Sequence, residues 1–203
     1  KPSRGQNPVL YVHERGKAAD AEPGGPIETL AKAGRQVLAV DVRSAGETYQ
    51  SKQKSSADAV GPDGKDIFTA YLLGRSYAGM RAEDVLVCAR VAGIPSTSSG
   101  QALPAIRGRD ALDTAGPVDL IAVGSVGAPA LHAAALEPEL FGSVKLVRSL
   151  VSWANVIALG RSSNQQANAV FGALKVYDLP NLAATLGEKL TVEQPLDALG
   201  EPL

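Results

Sequence analysis

The chain has 203 residues and a mass of 20.9 kDa, room for one domain of ordinary size, and 45% of it is hydrophobic, enough for a real core. Lys+Arg number 20 and Asp+Glu 21, and the net charge of -1 gives no footprint for nucleic acid or an anionic membrane surface. One Cys excludes an internal disulfide framework and a cysteine metal cluster, two His exclude a three-histidine metal site, and no apolar run reaches the roughly 18 residues of a membrane span, so no metal, cofactor or membrane partner is expected.

Lys1-Pro2-Ser3-Arg4 carries neither an initiator Met nor a signal-peptide pattern, so a processed or cut N-terminus is expected. Asn7 to Val12 reads as a strand. Pro26 to Ala33 reads as a helix, with Pro early and Gly34 as its stop, and Gln36 to Val42 as a second strand. Strand, loop, helix and strand within about 35 residues make a βαβ unit. Residues 44–65 are polar and rich in Ser, Lys and Gly, a surface excursion. Asp66 to Gly74 reads as a short helix and Met80 to Ala92 as a stronger one, with Met80, Asp84, Val87 and Val91 on one stripe and Cys88 beside it. Residues 93–110 read as a loop or insertion.

Val118 to Val123 is a buried strand in this reading, followed by the turn Gly124-Ser125-Val126-Gly127 and an Ala-rich helix from Ala128 to Leu136. Val144 to Leu150 is the next strand, Asn164 to Tyr177 a mixed stretch, Leu179 to Leu186 a helix and Lys189 to Glu193 a last strand. Continuous apolar strands suit a parallel sheet covered on both faces. The fold class expected is one doubly wound, mostly parallel α/β domain over 1–203, a three-layer sandwich.

Sites in such sheets lie past the carboxyl ends of the strands. His13, Glu14 and Arg15 follow the first strand, Asp41 and Arg43 the second, Ser125 the third, and Asp197 comes soon after the last. A Gly-flanked Ser between a buried strand and a helix can expose its hydroxyl above the sheet, with N–H groups at the helix start to hold an oxyanion. The G-x-S-x-G pattern has Val123 in place of its first Gly. Three readings of Ser125 stand side by side: a turn or cap residue that only packs, a nucleophile, and a phosphate cradle without the G-x-G-x-x-G fingerprint. Read with Gly127 as the second of two adjacent elbow glycines, the nucleophile position falls on Gly124 instead. His13 is either a solvated loop residue or part of an oxyanion loop, and His132 is a core or surface residue of its helix rather than a base. Glu14, Arg15 and Lys17 read as a solvated loop. Asp197 is a turn residue or a triad acid, with no histidine after it in the chain. Arg75 can hold a carboxylate or bind substrate, and Arg81 can pair with Asp84 along the helix. Asp41, Glu47 and Asp58 lack the spacing of a metal or glycosidase pair.

Several stretches together resemble a known superfamily. Asp41-Val42-Arg43-Ser44-Ala45-Gly46-Glu47-Thr48 is similar to a D-x-R-G-x-G-E-T turn, with Ser44 where Gly is common. Leu73-Gly74-Arg75-Ser76 with Gly79-Met80-Arg81 and Asp84 is similar to L-G-R-S-x-x-G-x-R-x-x-D. Gly127 with Pro129 through Leu136, and Tyr177-Asp178-Leu179-Pro180-Asn181-Leu182, complete the likeness. The chain resembles the α/β-hydrolase superfamily, in particular bacterial prolyl-oligopeptidase-like and acetyl-xylan-esterase-like proteins. The resemblance implies a hydrolase fold that begins at the family's third strand and stops short of its histidine. It places Ser125 near the elbow, Asp197 at the acid position, and backbone donors near Val126 and in the His13 loop. It also implies a bacterial, exported or periplasmic setting. Two functions follow as expectations. One is a serine-type carboxylic-ester hydrolase acting on a small ester or acetylated carbohydrate. The other is a non-catalytic hydrolase-like domain with a structural or assembly role, covered by further domains or segments of the same protein.

Overall fold

The computed structural model describes residues 6–49, 64–94, 116–163 and 165–203. Most of the 44–65 excursion, with Asp58, and most of the 93–110 loop lie outside the described residues. Five strands run β1 (Val9–His13), β2 (Val37–Val40), β3 (Val118–Val123), β4 (Phe141–Val147) and β5 (Leu190–Glu193). They form one sheet in the order β2-β1-β3-β4-β5, and every neighbouring pair is parallel. The helices are α1 (Pro26–Lys32), α2 (Gly64–Leu72), α3 (Tyr77–Ala92), α4 (Gly127–Leu136), α5 (Trp153–Leu159) and α6 (Leu179–Leu186).

The order fixes the layers. The chain leaves β1 in one direction to make β2, then returns across β1 to lay down β3, β4 and β5 in the other direction. Parallel crossovers are right-handed, so α1 and α3 cover opposite faces, and α4 and α6 join α3 on its side. α3 packs on α4 and α4 on α6. β1 lies at the centre of both layers and is buried along its whole length. β3 alternates instead: Val118, Leu120 and Ala122 are buried under the α3–α4 layer, while Asp119, Ile121 and Val123 are only half-buried on the other face. The expected doubly wound parallel α/β sandwich is what the chain adopts.

Local chemistry explains the details. α4 buries Ala128, Ala130, Ala133 and Ala134, small side chains that let it lie close to the sheet and to α3. Its first residue, Gly127, is the tightest point: a Cβ there would lie 1.7 Å from the Ser149 hydroxyl and 2.7 Å from the Ser149 Cβ. A register shift between Val118 and Asp119 lets β4 turn both Phe141 and Val144 inward. α3 begins two to three residues before the predicted Met80, capped by the Ser76 hydroxyl on the Gly79 N–H. Its buried face carries Ala78, Ala82, Val85, Ala89 and Ala92, whereas Val87 is exposed. The predicted stripe was rotated because it followed the larger apolar residues, and the close α3–α4 contact selects alanines. β4 starts three residues earlier than predicted, and α5 lies between Leu150 and Asn164, where the sequence reading assigns no element.

The family-like motifs act as locks between elements. Asp41 accepts the N–H groups of Lys17 at 2.6 Å and Glu47 at 3.0 Å, so it ties the loop after β1 to the loop after β2. Gly16 and Gly46 meet there, both with positive φ, and a Cβ on Gly16 would lie 2.3 Å from the Gly46 Cα. Asp84 takes Arg43 through both oxygens, at 2.7 and 2.5 Å, and accepts the Arg43 N–H as well. The Arg81 side chain donates to the Arg43 carbonyl and lies over the Tyr77 ring at 4.9 Å. Ser44, at the position where Gly is common, adopts φ 56 and bonds the Tyr77 hydroxyl through its own. Asp178 accepts the N–H groups of Trp153 and Leu179, both at 2.7 Å, and so caps α5 and α6 together. The Gly127 contact gives a test: Gly127→Ala is expected to lower stability by about 1–3 kcal/mol, the usual cost of overpacking, and Ser149→Ala to recover part of it, read from urea-denaturation midpoints.

Candidate functional site

The strand order reverses at β1 and β3, and the crevice past their carboxyl ends is where an open α/β sheet places a ligand. β1 leads into His13, Glu14 and Arg15, and β3 leads into Gly124, Ser125 and Val126, a 3-10 turn that runs straight into α4. The Glu14 N–H donates to the Val123 carbonyl, so the two loops begin as a continuation of the ladder.

The sharp residue of the β3–α4 corner is Gly124, with φ 79. Ser125 is not among the non-glycine residues of positive φ, which in the described chain are Ser44, Arg148 and Gln194. A serine at the strained point of such a corner lifts its hydroxyl over the sheet, and here that point has no side chain. The Glu14 carboxylate fills the space instead. A Cβ on Gly124 would lie 2.3 Å from the Glu14 Cδ, and Glu14 Oε2 accepts the Ser125 N–H at 2.8 Å. Ser125 itself is half-buried at the start of the turn, and Val126 points into the core.

His132 is hydrogen-bonded at both ring nitrogens and His13 at Nδ1. His13 is buried; its Nδ1 accepts the Arg15 N–H at 2.9 Å and its Nε2 faces Asp20 at 3.8 Å. The Tyr11 hydroxyl donates to the same Asp20 carboxylate at 2.5 Å. Burial holds the His13 pKa below the usual histidine value, with Asp20 opposing in part, and it raises the Tyr11 hydroxyl well above the ordinary range. His132 lies on α4 with Nδ1 against the Ala128 carbonyl at 2.7 Å and Nε2 at the Tyr177 hydroxyl, 3.0 Å away. Its ring packs against those of Trp153 and Tyr177, which also meet each other, and burial lowers its pKa too. These contacts match the core role read for His132 and remove both imidazoles from the Ser125 turn as they stand.

Asp197 follows β5 in a turn and accepts the N–H groups of Leu199 at 2.8 Å and Glu201 at 2.9 Å. Arg75 pairs with Glu83 at the surface and lines a cavity beside α2. Lys17, read as part of a solvated loop, instead pairs with Asp41 and Glu47. Ser125 and Glu14 are thus brought together, while Asp197, Arg75 and His132 serve other parts of the fold. Glu14, read as part of a solvated loop, is exposed but also holds the Ser125 N–H. Its signal was positional: it is the second residue past the end of the predicted first strand, at the switch point of the sheet.

No protein-family model matches the chain, and no curated protein matches its sequence. Solved structures match it at low identity. A 2-hydroxy-6-oxo-6-phenylhexa-2,4-dienoate hydrolase from Rhodococcus sp. strain RHA1 is 20% identical with a TM-score of 0.41, over 72% of this chain and 40% of that one. Rv0554 from Mycobacterium tuberculosis is 15% identical with a TM-score of 0.43, over 78% and 42%. A serine hydrolase from the polyaromatic-hydrocarbon-degrading bacterium Cycloclasticus zankles is 13% identical with a TM-score of 0.34, over 91% and 57%. The chain thus spans about 40–57% of the length of these structures. The likeness assigns no activity and no site residue.

Both histidines hold their protons less tightly in the folded chain than in the unfolded one, so the unfolded state takes up more protons as pH falls below about 6.5. Stability is therefore expected to fall as pH drops from 7 through 6 toward 5. His13→Gln should flatten this part of the profile, read as urea midpoints against pH. The loss from Asp41 and Asp178, whose backbone hydrogen bonds outweigh burial and depress their pKa values, comes in a separate window below about pH 4.

Proposed function

We propose that this chain is a hydrolase-like α/β domain that does not hydrolyse, and that its role is binding or assembly. The observation that supports this reading most is the Glu14 carboxylate on the Ser125 N–H at 2.8 Å. Acyl transfer through a serine needs N–H donors aimed at the place where negative charge develops. For a nucleophile at Ser125 one such donor is the Val126 N–H, and the Glu14 carboxylate, held one residue earlier on the Ser125 N–H, sets a negative charge beside it. The engaged nitrogens of His13 and His132 and the turn-bound carboxylate of Asp197 point the same way. For an assembly role, β5 offers an outer edge on which Thr191 and Val192 are exposed.

A second reading is the carboxylic-ester hydrolase, acting on a small ester or acetylated carbohydrate. It is favoured by the half-buried Ser125 at the carboxyl end of β3, at the entrance to α4. Ser125 would attack the acyl carbon after giving its proton to a histidine other than His13 and His132 in their present contacts, oriented by Asp197.

A fluorophosphonate probe with peptide mass mapping separates the two without a guess about the acyl group. The expected result is no fold-dependent labelling at Ser125 in the wild-type chain or in Glu14→Gln. Native labelling at Ser125 that denaturation abolishes, or acetate-ester turnover lost in Ser125→Ala, would overturn the non-catalytic reading and establish the hydrolase.

A further inference from the structure

We infer that the cavity between α2, the α2–α3 turn and residues 166–171 is a binding site for an amphipathic monocarboxylate, an aryl or medium-chain alkyl acid. This site is independent of whether Ser125 is a nucleophile.

The cavity has a volume of about 640 Å³, inside the range of roughly 300–1,000 Å³ typical of small-molecule sites. Ile67, Phe68 and Tyr71 of α2 form one wall, and Val170 and Phe171 form the facing one. Tyr71 and Phe171 meet edge to face with ring centroids 5.9 Å apart, so the two walls already touch at one end. The chain has three Phe residues; Phe141 is in the core, and the other two stand here, 55% and 85% exposed at Phe68 and Phe171. Aromatic surface gathered around a concavity and left in water is the signature of a site waiting for an apolar partner.

The polar content narrows the partner. Arg75 is the one charged side chain that lines this cavity among the described residues. Its partner Glu83 is a surface group: the two side chains are 49% and 56% exposed. A pair so exposed to solvent contributes little and exchanges readily. The guanidinium has five N–H donors in a planar fork, so it can take a ligand carboxylate in a bidentate pair beside or in place of Glu83. The Ser76 oxygen accepts the Gly79 N–H, so its O–H can still donate to the same ligand carboxylate. An apolar slot with a single cation at its side complements a molecule with an apolar body and one negative charge. A neutral hydrocarbon leaves Arg75 unused, and a dianion brings a charge that nothing else in the lining matches.

The test is calorimetric titration of the full chain with 4-phenylbutyrate and octanoate, with 4-phenylbutyramide as the neutral counterpart. Expected is saturable one-to-one binding of at least one acid, about tenfold tighter than the amide if the ion pair forms in a partly desolvated slot. Arg75→Gln should remove that tenfold preference and leave the amide unchanged. Phe171→Ser should weaken acid and amide alike by several-fold, and Ile157→Ser, outside the cavity lining, should change neither. All three positions are exposed, so thermal melts should coincide with wild type. No saturable binding of either acid, acid affinity that is unchanged in Arg75→Gln, or indifference to Phe171→Ser would each overturn the proposal.

Discussion

Backbone amides that leave the carboxyl end of a parallel sheet have no strand to pair with, and each must find an acceptor or face water. This chain meets that constraint with its own carboxylates. Glu14 takes the Ser125 amide, Asp41 those of Lys17 and Glu47, Asp84 that of Arg43, and Asp178 those of Trp153, Ala154 and Leu179. Asp197 does the same for Leu199 and Glu201. The bonds of Glu14, of Asp41 to Lys17, of Asp84, and of Asp178 to Trp153 and Ala154 join segments 24 or more residues apart, and the others close local turns, so ionic acceptors help to fix the loops that crown the sheet. At the switch point this places the Glu14 carboxylate against the Ser125 turn, the contact on which the proposed non-catalytic reading rests.

The layers were legible because they depend on short-range patterns. Continuous apolar runs such as Val37 to Val40, separated by helical stretches and glycine turns, leave few alternatives to a parallel sheet. The β1–α1–β2 unit and the β3–α4 pair were read close to their observed bounds. What was misread depends on contacts across the fold. The buried face of α3 is set by how closely α4 approaches, which favours Ala82 and Ala89 over Val87. α5 is capped locally by Ser152, whose hydroxyl oxygen accepts the Asn155 N–H, and also by Asp178, a residue 25 positions beyond Trp153. No local pattern announces the second cap.

The site was legible in place and less so in detail. The turn at Ser125 and the loop at His13 were singled out from the topology alone, and the two loops do meet. The alternative frame, with Gly124 at the corner, agrees with the one positive φ in that turn. Glu14 escaped because a charged residue after a strand usually belongs to solvent, and only the adjacency of β1 and β3 brings it onto Ser125. The family-like motifs at 41–48 and 73–84 were quoted for their resemblance. In the fold their Asp41, Arg43 and Asp84 hold loops together. Their roles in this chain belong to the scaffold, and they say nothing of whether the corner they support is reactive.

One feature of the far edge shapes how this half of the molecule can move. Arg148 and Gln194 both adopt positive φ, at 53 and 49, one step past the paired Val147 and Glu193. Two neighbouring strands therefore crease on the same rung. Beyond the crease the ladder resumes, Leu150 beside Leu196 and Leu196 beside Pro202, and the leaf so formed is buttoned to α5 by the Asn155 side chain on the Ala198 N–H. A bend confined to one strand would have torn the ladder, whereas a shared one folds it like a page. Residues 149–151 and the 195–203 tail are thus joined as one leaf to α5, and α5 is in turn anchored to the body through Trp153, whose N–H donates to Asp178 and whose indole donates to the Asn168 carbonyl.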